Sequence, residues 1–402
     1  MKKLLFIFVC IVVIITGCNT NKESIETKDE NTKNKTIDKV NSVKESGNSD
    51  MEVKEEKIHE QTNIEYTKDY IFPKSDTVKL TFQDIYDIDF ENLDVAKNEI
   101  YARKGYIFQS KKFSNYFSKK EWYHPNENFT TKELTPIEMY NINLLSYFEN
   151  LEDMYEEVRN KTNGSKLKQK IDIYDRNKEI YVDLNGDGVK EKISYKINMK
   201  DSYCSGGTLF IDDQKIQLDG YSFLNSFAIV DINVKDHIKE IVISDEGPSS
   251  DYTSQFFYYD GNKIHKMGEV GGLYDYGIQI NGLGKFSAMS RADILQTWFF
   301  DRLYKLDSNH KIVEIKQDVF NTNSFVFVKK PLKVYVSPDT QSNSFILKEA
   351  TVVNIVGTDN KEWCLVETKK GKRGWFSVDD DEKIKGTNLR TTEFFIGLCF
   401  AD

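Results

Sequence analysis

Residues 93–108 read Leu-Asp-Val-Ala-Lys-Asn-Glu-Ile-Tyr-Ala-Arg-Lys-Gly-Tyr-Ile-Phe, and this stretch decides how the first folded part of the chain is built. Leu93, Ala96 and Ile100 fall on one face of a helix, at the spacing of a buried stripe. Gly105 stands where a helix C-terminus favours a left-handed residue, after which an apolar residue can fold back against the last turn. The sequence therefore predicts a short amphipathic helix that ends at a glycine.

Two further helix starts flank this stretch. Residues 81–84, Thr-Phe-Gln-Asp, place an acid three residues after a hydroxyl, and residues 135–138, Thr-Pro-Ile-Glu, add a proline at the first helical position. Both are capping-box patterns, in which side chain and backbone at the helix start satisfy each other. The apolar spacing after Pro136 predicts one helix that runs on through Tyr155 and stops by residues 163–164, Asn-Gly.

These stretches together resemble the YARHG domain of bacterial exported proteins. The resemblance covers about residues 68–158. It rests on Asn-Glu-Ile-Tyr-Ala-Arg-Lys-Gly at 98–105, a downstream Tyr-Phe and Trp-Tyr, and Leu-Thr-Pro-Ile-Glu at 134–138. It implies an envelope-associated domain without an established catalytic role.

One position departs from the family's name. The histidine of that name is Lys104 here, so a mechanism that needs its imidazole as a base or metal ligand cannot run in this chain. We therefore interpret Tyr101, Arg103, Gly105 and Trp122 as residues that hold the domain together rather than perform chemistry.

The N-terminus predicts export and lipidation. Residues 1–17 carry a Met-Lys-Lys start and an apolar run at 4–15, which is the layout of a signal peptide. The run ends in Ile-Thr-Gly-Cys, which resembles the lipobox of bacterial lipoproteins. That resemblance implies cleavage before Cys18, a diacylglycerol on its thiol, acyl chains such as palmitate, and a membrane anchor. The alternative is an uncleaved transmembrane helix, but about twelve residues fall short of the roughly 20 that a bilayer requires.

The next segment and the overall charge limit the partners. Residues 18–65 contain no aromatic side chain and are dominated by polar and charged residues, so we predict a disordered tether. The net charge of −9 becomes −11 when Lys2 and Lys3 leave with the signal (−9 − 2). Such a chain has no electrostatic reason to bind nucleic acid, and anionic wall polymers would repel it unless a cation or a local patch intervenes.

From about residue 171 the apolar pattern changes to short alternating strands separated by turn residues. Two acid-rich segments, 183–191 and 231–241, repeat 48 residues apart, and each runs into a strand. They resemble the FG-GAP or VCBS type of repeat found in β-propellers. About 150 residues hold at most three or four blades, so a propeller-like domain and a sandwich both stay open.

The first of these segments is a candidate calcium loop. Asp183, Asn185 and Asp187 stand at positions 1, 3 and 5, Gly188 allows the turn, and Glu191 stands at position 9. Position 12 is a serine, so the bidentate glutamate of an EF-hand is missing. The alternative is a metal-free hairpin in which Asn and Asp make Asx-turns.

The C-terminal region resembles a bacterial SH3-like (Src-homology-3-like) domain, on residues 332–334, Pro338, 363–366 and 371–376. The resemblance implies a small β-barrel, with Tyr335, Trp363 and Trp375 as candidate binding residues. The family's Arg-Ser-Gly before the proline is Tyr-Val-Ser in this chain. The apolar tail at 394–400 is predicted to pack as a final strand.

Signals for catalysis are sparse. Cys204 lies in a glycine-rich loop with no histidine near it in sequence, and the five histidines show no His-x-x-x-His pairing. The sequence also lacks Gly-x-Ser-x-Gly and a phosphate-binding glycine loop. We therefore predict no enzyme activity. A hydrolase that pairs carboxylates of the central region is the alternative, because 64 acids offer many pairs.

Taken together, the sequence predicts a multidomain α+β protein with a small helical YARHG-like domain, a β-rich repeat domain and a C-terminal SH3-like β-barrel. The predicted function is binding or sensing in the cell envelope, with peptidoglycan (its glycan or peptide) or another envelope protein as partner. The predicted boundaries are 1–17 for the signal, 18–65 for the tether, and 66–160, 170–320 and 324–402 for the three domains.

Overall fold

A computed structural model describes residues 70–86, 88, 92–162, 171–200, 203–248, 251–292, 294–380 and 382–400. The predictions for the signal peptide, Cys18 and the tether therefore lie outside the described residues. Within the described ranges, no helix is both long and apolar enough to cross a membrane.

In the described residues, the helical domain contains five helices and a short 3-10 turn (Thr131–Glu133). The helices are α1 (Phe82–Tyr86), α2 (Leu93–Ala102), α3 (Lys111–Phe117), α4 (Pro136–Glu149) and α5 (Leu151–Thr162). The predicted stripe of Leu93, Ala96 and Ile100 is buried, and α2 packs against α4. At the start of α4, the Glu138 N–H donates to the Thr135 hydroxyl at 3.2 Å, and the Thr135 N–H donates to the Glu138 carboxylate at 2.8 Å. This capping box fixes where α4 begins.

The predicted continuous helix is wrong, because α4 and α5 are separate helices that meet at Asn150. The Asn150 backbone leaves the helical region at φ −102° and ψ 5°. Its side-chain amide bonds the Ser146 carbonyl at 2.6 Å, so the side chain satisfies a carbonyl at the helix end. The apolar spacing continues across the break, which is why periodicity alone does not show it.

Thirteen strands are found in the described part of the next region, which we call the β domain. They are β1 (Asp172–Asp175), β2 (Ile180–Val182), β3 (Glu191–Lys200), β4 (Tyr203–Ile211), β5 (Gln214–Leu218), β6 (Ser226–Val230), β7 (Glu240–Asp245), β8 (Thr253–Tyr259), β9 (Ile264–Gly271), β10 (Ile278–Ile280), β11 (Lys285–Arg291), β12 (Phe299–Leu306) and β13 (Ile312–Ile315). The alternating pattern predicts strands at 179–183, 191–197, 208–212, 215–218, 226–231, 238–244, 255–259 and 311–316, so it misses β1 and β9–β12.

The β domain consists of three consecutive antiparallel meanders. Their strand orders are β2-β3-β4-β5, β6-β7-β8-β9 and β10-β11-β12-β13, and β1 adds to the edge of the second at β6. The two repeated segments occupy matching places. Buried Glu191 accepts the Leu184 N–H at 2.8 Å, and buried Glu240 accepts the Ile232 N–H at 2.9 Å. The two segments therefore repeat in structure as well as in sequence. In each, a glutamate at the start of a strand accepts a backbone N–H of the loop before it.

The last part of the chain is a seven-stranded antiparallel sheet with the order β16-β15-β19-β18-β17-β14-β20. Its elements are β14 (Phe320–Val328), β15 (Leu332–Tyr335), β16 (Ser344–Leu347), β17 (Val352–Thr358), β18 (Trp363–Thr368), β19 (Arg373–Ser377), α6 (Thr391–Phe394) and β20 (Phe395–Ile396). We call it the C-terminal sheet. It is an open sheet whose edge strands are β16 and β20, so it does not form the closed barrel that the sequence predicts.

The helical domain and the C-terminal sheet share one core. Phe327 and Ile396 belong to the same buried cluster as the side chains of α2 and α4. The Tyr147 hydroxyl donates to the Phe325 carbonyl at 2.8 Å, and the Tyr140 ring meets Phe327 edge-on at 5.2 Å. The first and last folded parts of the chain therefore pack directly on each other.

Candidate functional site

The Tyr-Ala-Arg-Lys-Gly stretch is built around the Arg103 guanidinium. Its Nη2 donates to the Phe72 carbonyl at 2.8 Å, and its Nη1 donates to the Pro73 carbonyl at 3.1 Å. The guanidinium also lies 4.2 Å from the centre of the Tyr70 ring, and that ring stacks on Trp122 at 4.8 Å. Arg103 thus fastens the N-terminal segment of the domain onto α2.

Glu99 completes this network from inside. Its side chain is only 1% exposed, and it accepts the Ile71 N–H at 2.8 Å and Arg103 Nη2 at 3.0 Å. Burial raises the pKa of Glu99, although these hydrogen bonds and the arginine charge oppose the shift. A buried carboxylate whose bonds go to its own fold is a structural group, which agrees with the interpretation made from the sequence.

Lys104, at the family's histidine position, also has a structural partner. Its Nζ lies 3.1 Å from Glu138 Oε1, while the other oxygen of Glu138 caps α4. Gly105 has φ +82°, and a Cβ atom there would lie 2.6 Å from the His124 carbonyl oxygen. Only glycine tolerates both constraints, so this position serves the close approach of two backbone segments.

The three predicted aromatic binding residues come together on the C-terminal sheet. Tyr335 pairs with Trp375 across β15 and β19, and Trp375 pairs with Leu365 in β18. The Tyr335 and Trp363 rings meet edge-on, with centroids 6.2 Å apart. All four side chains are half-buried, and their strand neighbours Val334, Cys364, Val366 and Phe376 are buried. We call Tyr335, Trp363, Leu365 and Trp375 the aromatic face.

The predicted calcium residues form one loop, and its oxygens already bond the loop itself. Asp183 accepts the N–H groups of Gly186 and Gly188, at 2.8 and 3.0 Å. Asp187 accepts the Asn185 side-chain amide at 2.9 Å. The Glu191 carboxylate lies behind the loop, where it accepts the Leu184 N–H. Across the described ranges, no three His, Cys, Asp or Glu side chains are grouped so that they could hold a metal ion. The present arrangement therefore does not supply a metal cage without rearrangement, and calcium binding stays a prediction.

Cys204 is half-buried, and its thiol faces the carbonyls of Gly206 and Gly220 at 3.6 and 3.7 Å. These weak contacts to backbone oxygens place it in the wall of the first meander. The structure thus gives Cys204 a packing environment, in line with a structural role.

A cavity that the sequence does not predict lies where the three folded parts meet. Its volume is about 1140 Å³. It is lined by residues 79–86 and α4 of the helical domain, residues 296–301 at the start of β12, and the tail at 395–400. Most of the lining is aromatic or aliphatic. No local motif marks this cavity, because the segments that form it lie far apart in the sequence.

Three lysines line the cavity, and two of them are ion-paired. Lys79 Nζ lies 2.5 Å from Glu349, and Lys330 Nζ lies 2.9 Å from Glu393. Burial, together with the charge of Glu349, raises the pKa of Tyr140 to about 12. Lys329 donates to the Thr392 carbonyl at 2.8 Å, and burial lowers the pKa of its ammonium group. Both pKa shifts result from the burial of these two groups in the cavity wall.

Comparison with known families finds that residues 68–150 match the YARHG domain. The match covers the helical domain as far as the end of α4 and leaves out α5. No curated protein and no solved structure matches the chain. The chain therefore carries a YARHG domain, joined here to a β domain and a C-terminal sheet.

Proposed function

We propose that this chain is a lipid-anchored surface protein that binds cell-wall material through the aromatic face. The observation that carries the proposal is the position of Tyr335, Trp363 and Trp375, which stand together on three neighbouring strands of one sheet. Half-exposed rings offer flat apolar surface with polar edges, which suits the stacking of sugar rings and of peptide groups.

The net charge of the chain favours recognition of wall material through short-range contacts rather than through long-range electrostatic attraction. The chain is acidic overall, so it has no long-range attraction for anionic polymers. Near the aromatic face, Lys333 Nζ lies 5.1 Å from the centre of the Tyr335 ring, and Arg373 is paired with Glu367 at 2.6 Å. This mixture of charges suits a neutral wall glycan or a wall peptide better than a polyphosphate.

The proposed anchor rests on the lipobox-like residues before Cys18. Two acyl chains hold a protein stably on a membrane, whereas one gives only marginal binding. Cys18→Ala should therefore abolish acylation and leave an unprocessed precursor. If that variant matures to the parental size and stays membrane-bound, the anchor is not at Cys18.

The wall-binding proposal is tested by sedimentation of the full-length protein, in mild detergent, with purified cell walls. We expect the protein to sediment with the walls and to be released by soluble wall fragments. Protein that stays in the supernatant at saturating amounts of wall contradicts the proposal.

A further inference from the structure

The interdomain cavity lies away from the aromatic face, since none of the four residues of that face lines it. Its volume of about 1140 Å³ slightly exceeds the range of roughly 300–1,000 Å³ that is usual for ligand sites. A space of this size between three packed parts of the chain suits a long ligand better than a small one.

Several polar groups in the cavity wall are already used by the fold, and Trp298 Nε1 is buried there without a hydrogen-bond partner. Gln296 donates to the Ser324 hydroxyl at 2.9 Å and accepts the Cys399 N–H at 2.8 Å. The Tyr147 hydroxyl bonds the Phe325 carbonyl at 2.8 Å. A sugar needs many hydrogen-bond partners, and this wall has few to give, so the interior suits a hydrocarbon.

Lys329 differs from the other two lysines of the wall. Lys79 and Lys330 each face a carboxylate, whereas in the described part of the chain no carboxylate lies within ion-pair distance of Lys329. Its ammonium group donates to the Thr392 carbonyl, and the carboxylate that acts on it from farther away, Glu393, is already paired with Lys330 at 2.9 Å. A half-buried ammonium group whose neighbouring carboxylate is engaged elsewhere favours a ligand that brings one negative charge.

Large apolar side chains in the wall are also left partly in water. Phe82 is 42% exposed and Phe400 is 47% exposed. Phe82 contacts Tyr86 and Phe148, with ring centroids 5.9 Å apart in each case. Its ring is therefore packed into the cavity wall. A hydrocarbon chain in the cavity would cover this surface.

We propose that the cavity binds a long-chain fatty acid, with the hydrocarbon chain against the aromatic wall and the carboxylate on Lys329 Nζ. The site goes beyond the proposed wall binding, because it uses other residues and another ligand chemistry. It would give the protein a second ligand, taken from the lipid phase to which the proposed anchor holds it.

The test is photolabelling of the full-length protein, in its membrane fraction, with a diazirine analogue of palmitic acid. We expect adducts on residues 296–301 and 395–400 of the cavity wall. Unlabelled fatty acids should compete better as they lengthen, by up to about fourfold for each added methylene that is buried. The methyl ester of the probe, which lacks the charge, should label these segments at least tenfold less.

Three variants test the role of Lys329. Lys329→Met should reduce labelling of the two segments at least tenfold, and Lys329→Arg, which keeps the charge, should restore most of it. Lys79→Met is the matched control, because Lys79 also lines the cavity and is already paired with Glu349, and its labelling should stay within twofold of the parent. If Lys329→Met fails to fold, the methyl ester still tests the charge in the parent protein.

The outcomes separate this site from the wall-binding face. Trp375→Ala should leave labelling unchanged even if it abolishes wall binding. Absence of adducts from both cavity segments overturns the proposal. Equal labelling by acid and ester, or by a folded Lys329→Met variant and the parent, overturns it as well.

Discussion

Arg103 Nη2 donates to Glu99 Oε1 at 3.0 Å across one turn of α2, and the carboxylate it reaches is almost completely buried. The pair connects the Tyr-Ala-Arg-Lys-Gly stretch to residues 70–73. Arg103 donates to the Phe72 carbonyl, and Glu99 accepts the Ile71 N–H. The best-recognised motif of the chain therefore acts as an internal clamp, and the candidate binding surfaces lie elsewhere.

The first prediction concerns this clamp. Arg103→Met leaves Glu99 buried without its counter-charge, so we expect the helical domain to lose about 3 kcal/mol of stability. Hydrogen exchange of the α2 amides in the full chain measures the loss. Lys112→Met is the control: it breaks the exposed pair with Asp94 and should cost at most about 1 kcal/mol. Equal losses in the two variants would contradict the clamp.

The second prediction concerns the contact between the helical domain and the C-terminal sheet. Gly397 has φ +102°, and a Cβ atom there would overlap the Tyr147 hydroxyl. Gly397→Ala should therefore combine backbone strain with loss of the Tyr147–Phe325 bond.

Gly371→Ala is the matched control for that glycine, because its φ is +77° and nothing lies within 4 Å of the added atom. We expect the control to cost about 1 kcal/mol and Gly397→Ala to cost about 2 kcal/mol more. Thermal unfolding of both variants measures the difference. Similar melting temperatures would show that the tail does not depend on Tyr147.

Local signals in the sequence predict local structure well. The capping pattern at Thr81 predicts α1, and its N–H donates to Asp84 at 2.7 Å. The stripe of Leu93, Ala96 and Ile100 predicts the buried face of α2, and Gly105 predicts its end. These features depend on residues three or four apart, which the sequence displays directly.

Packing between distant segments is what the sequence does not predict. The cavity joins segments of all three folded parts, and no periodicity relates them. One part of the sequence does indicate such packing. Residues 325–328 are an unbroken apolar run, which is typical of a strand covered on both faces. Val326, Phe327 and Val328 are all buried, and Phe327 faces the helical domain.

The third prediction concerns pH. His310 Nε2 lies 3.2 Å from Glu240 Oε1, and this bond raises the pKa of His310 above the 6.5 of a free histidine, although burial opposes the shift. Stability from the pair is therefore complete below pH 6.5 and is lost as the pH rises through the folded-state pKa.

We accordingly expect the melting temperature to fall as the pH rises above 6.5, and His310→Gln to make that decline smaller. His124→Gln removes an exposed histidine of the helical domain and should leave the profile unchanged. A His310→Gln variant with the parental profile would show that the pair does not contribute.

The fourth prediction concerns calcium at Asp183, Asn185, Asp187 and Glu191. An ion would have to replace the 2.9 Å bond between Asn185 and Asp187, so we expect only weak binding, with a dissociation constant of roughly 0.1–1 mM. Calcium should then raise the melting temperature in proportion to the logarithm of its concentration. Asp187→Ala should remove the increment, and Asp213→Ala, in another turn, should keep it. No calorimetric uptake at millimolar calcium would identify the loop as an ordinary turn.

The central claim is that the aromatic face binds the wall, and the most direct measurement compares two aromatic deletions in sedimentation with purified cell walls. Trp375→Ala removes the ring that pairs with Tyr335, whereas Tyr221→Ala removes a ring of the β domain that is 81% exposed. We expect the wall dissociation constant to rise at least tenfold for Trp375→Ala, which is about 1.4 kcal/mol, and to stay within twofold of the parent for Tyr221→Ala. Equal affinities of the two folded variants would contradict the claim.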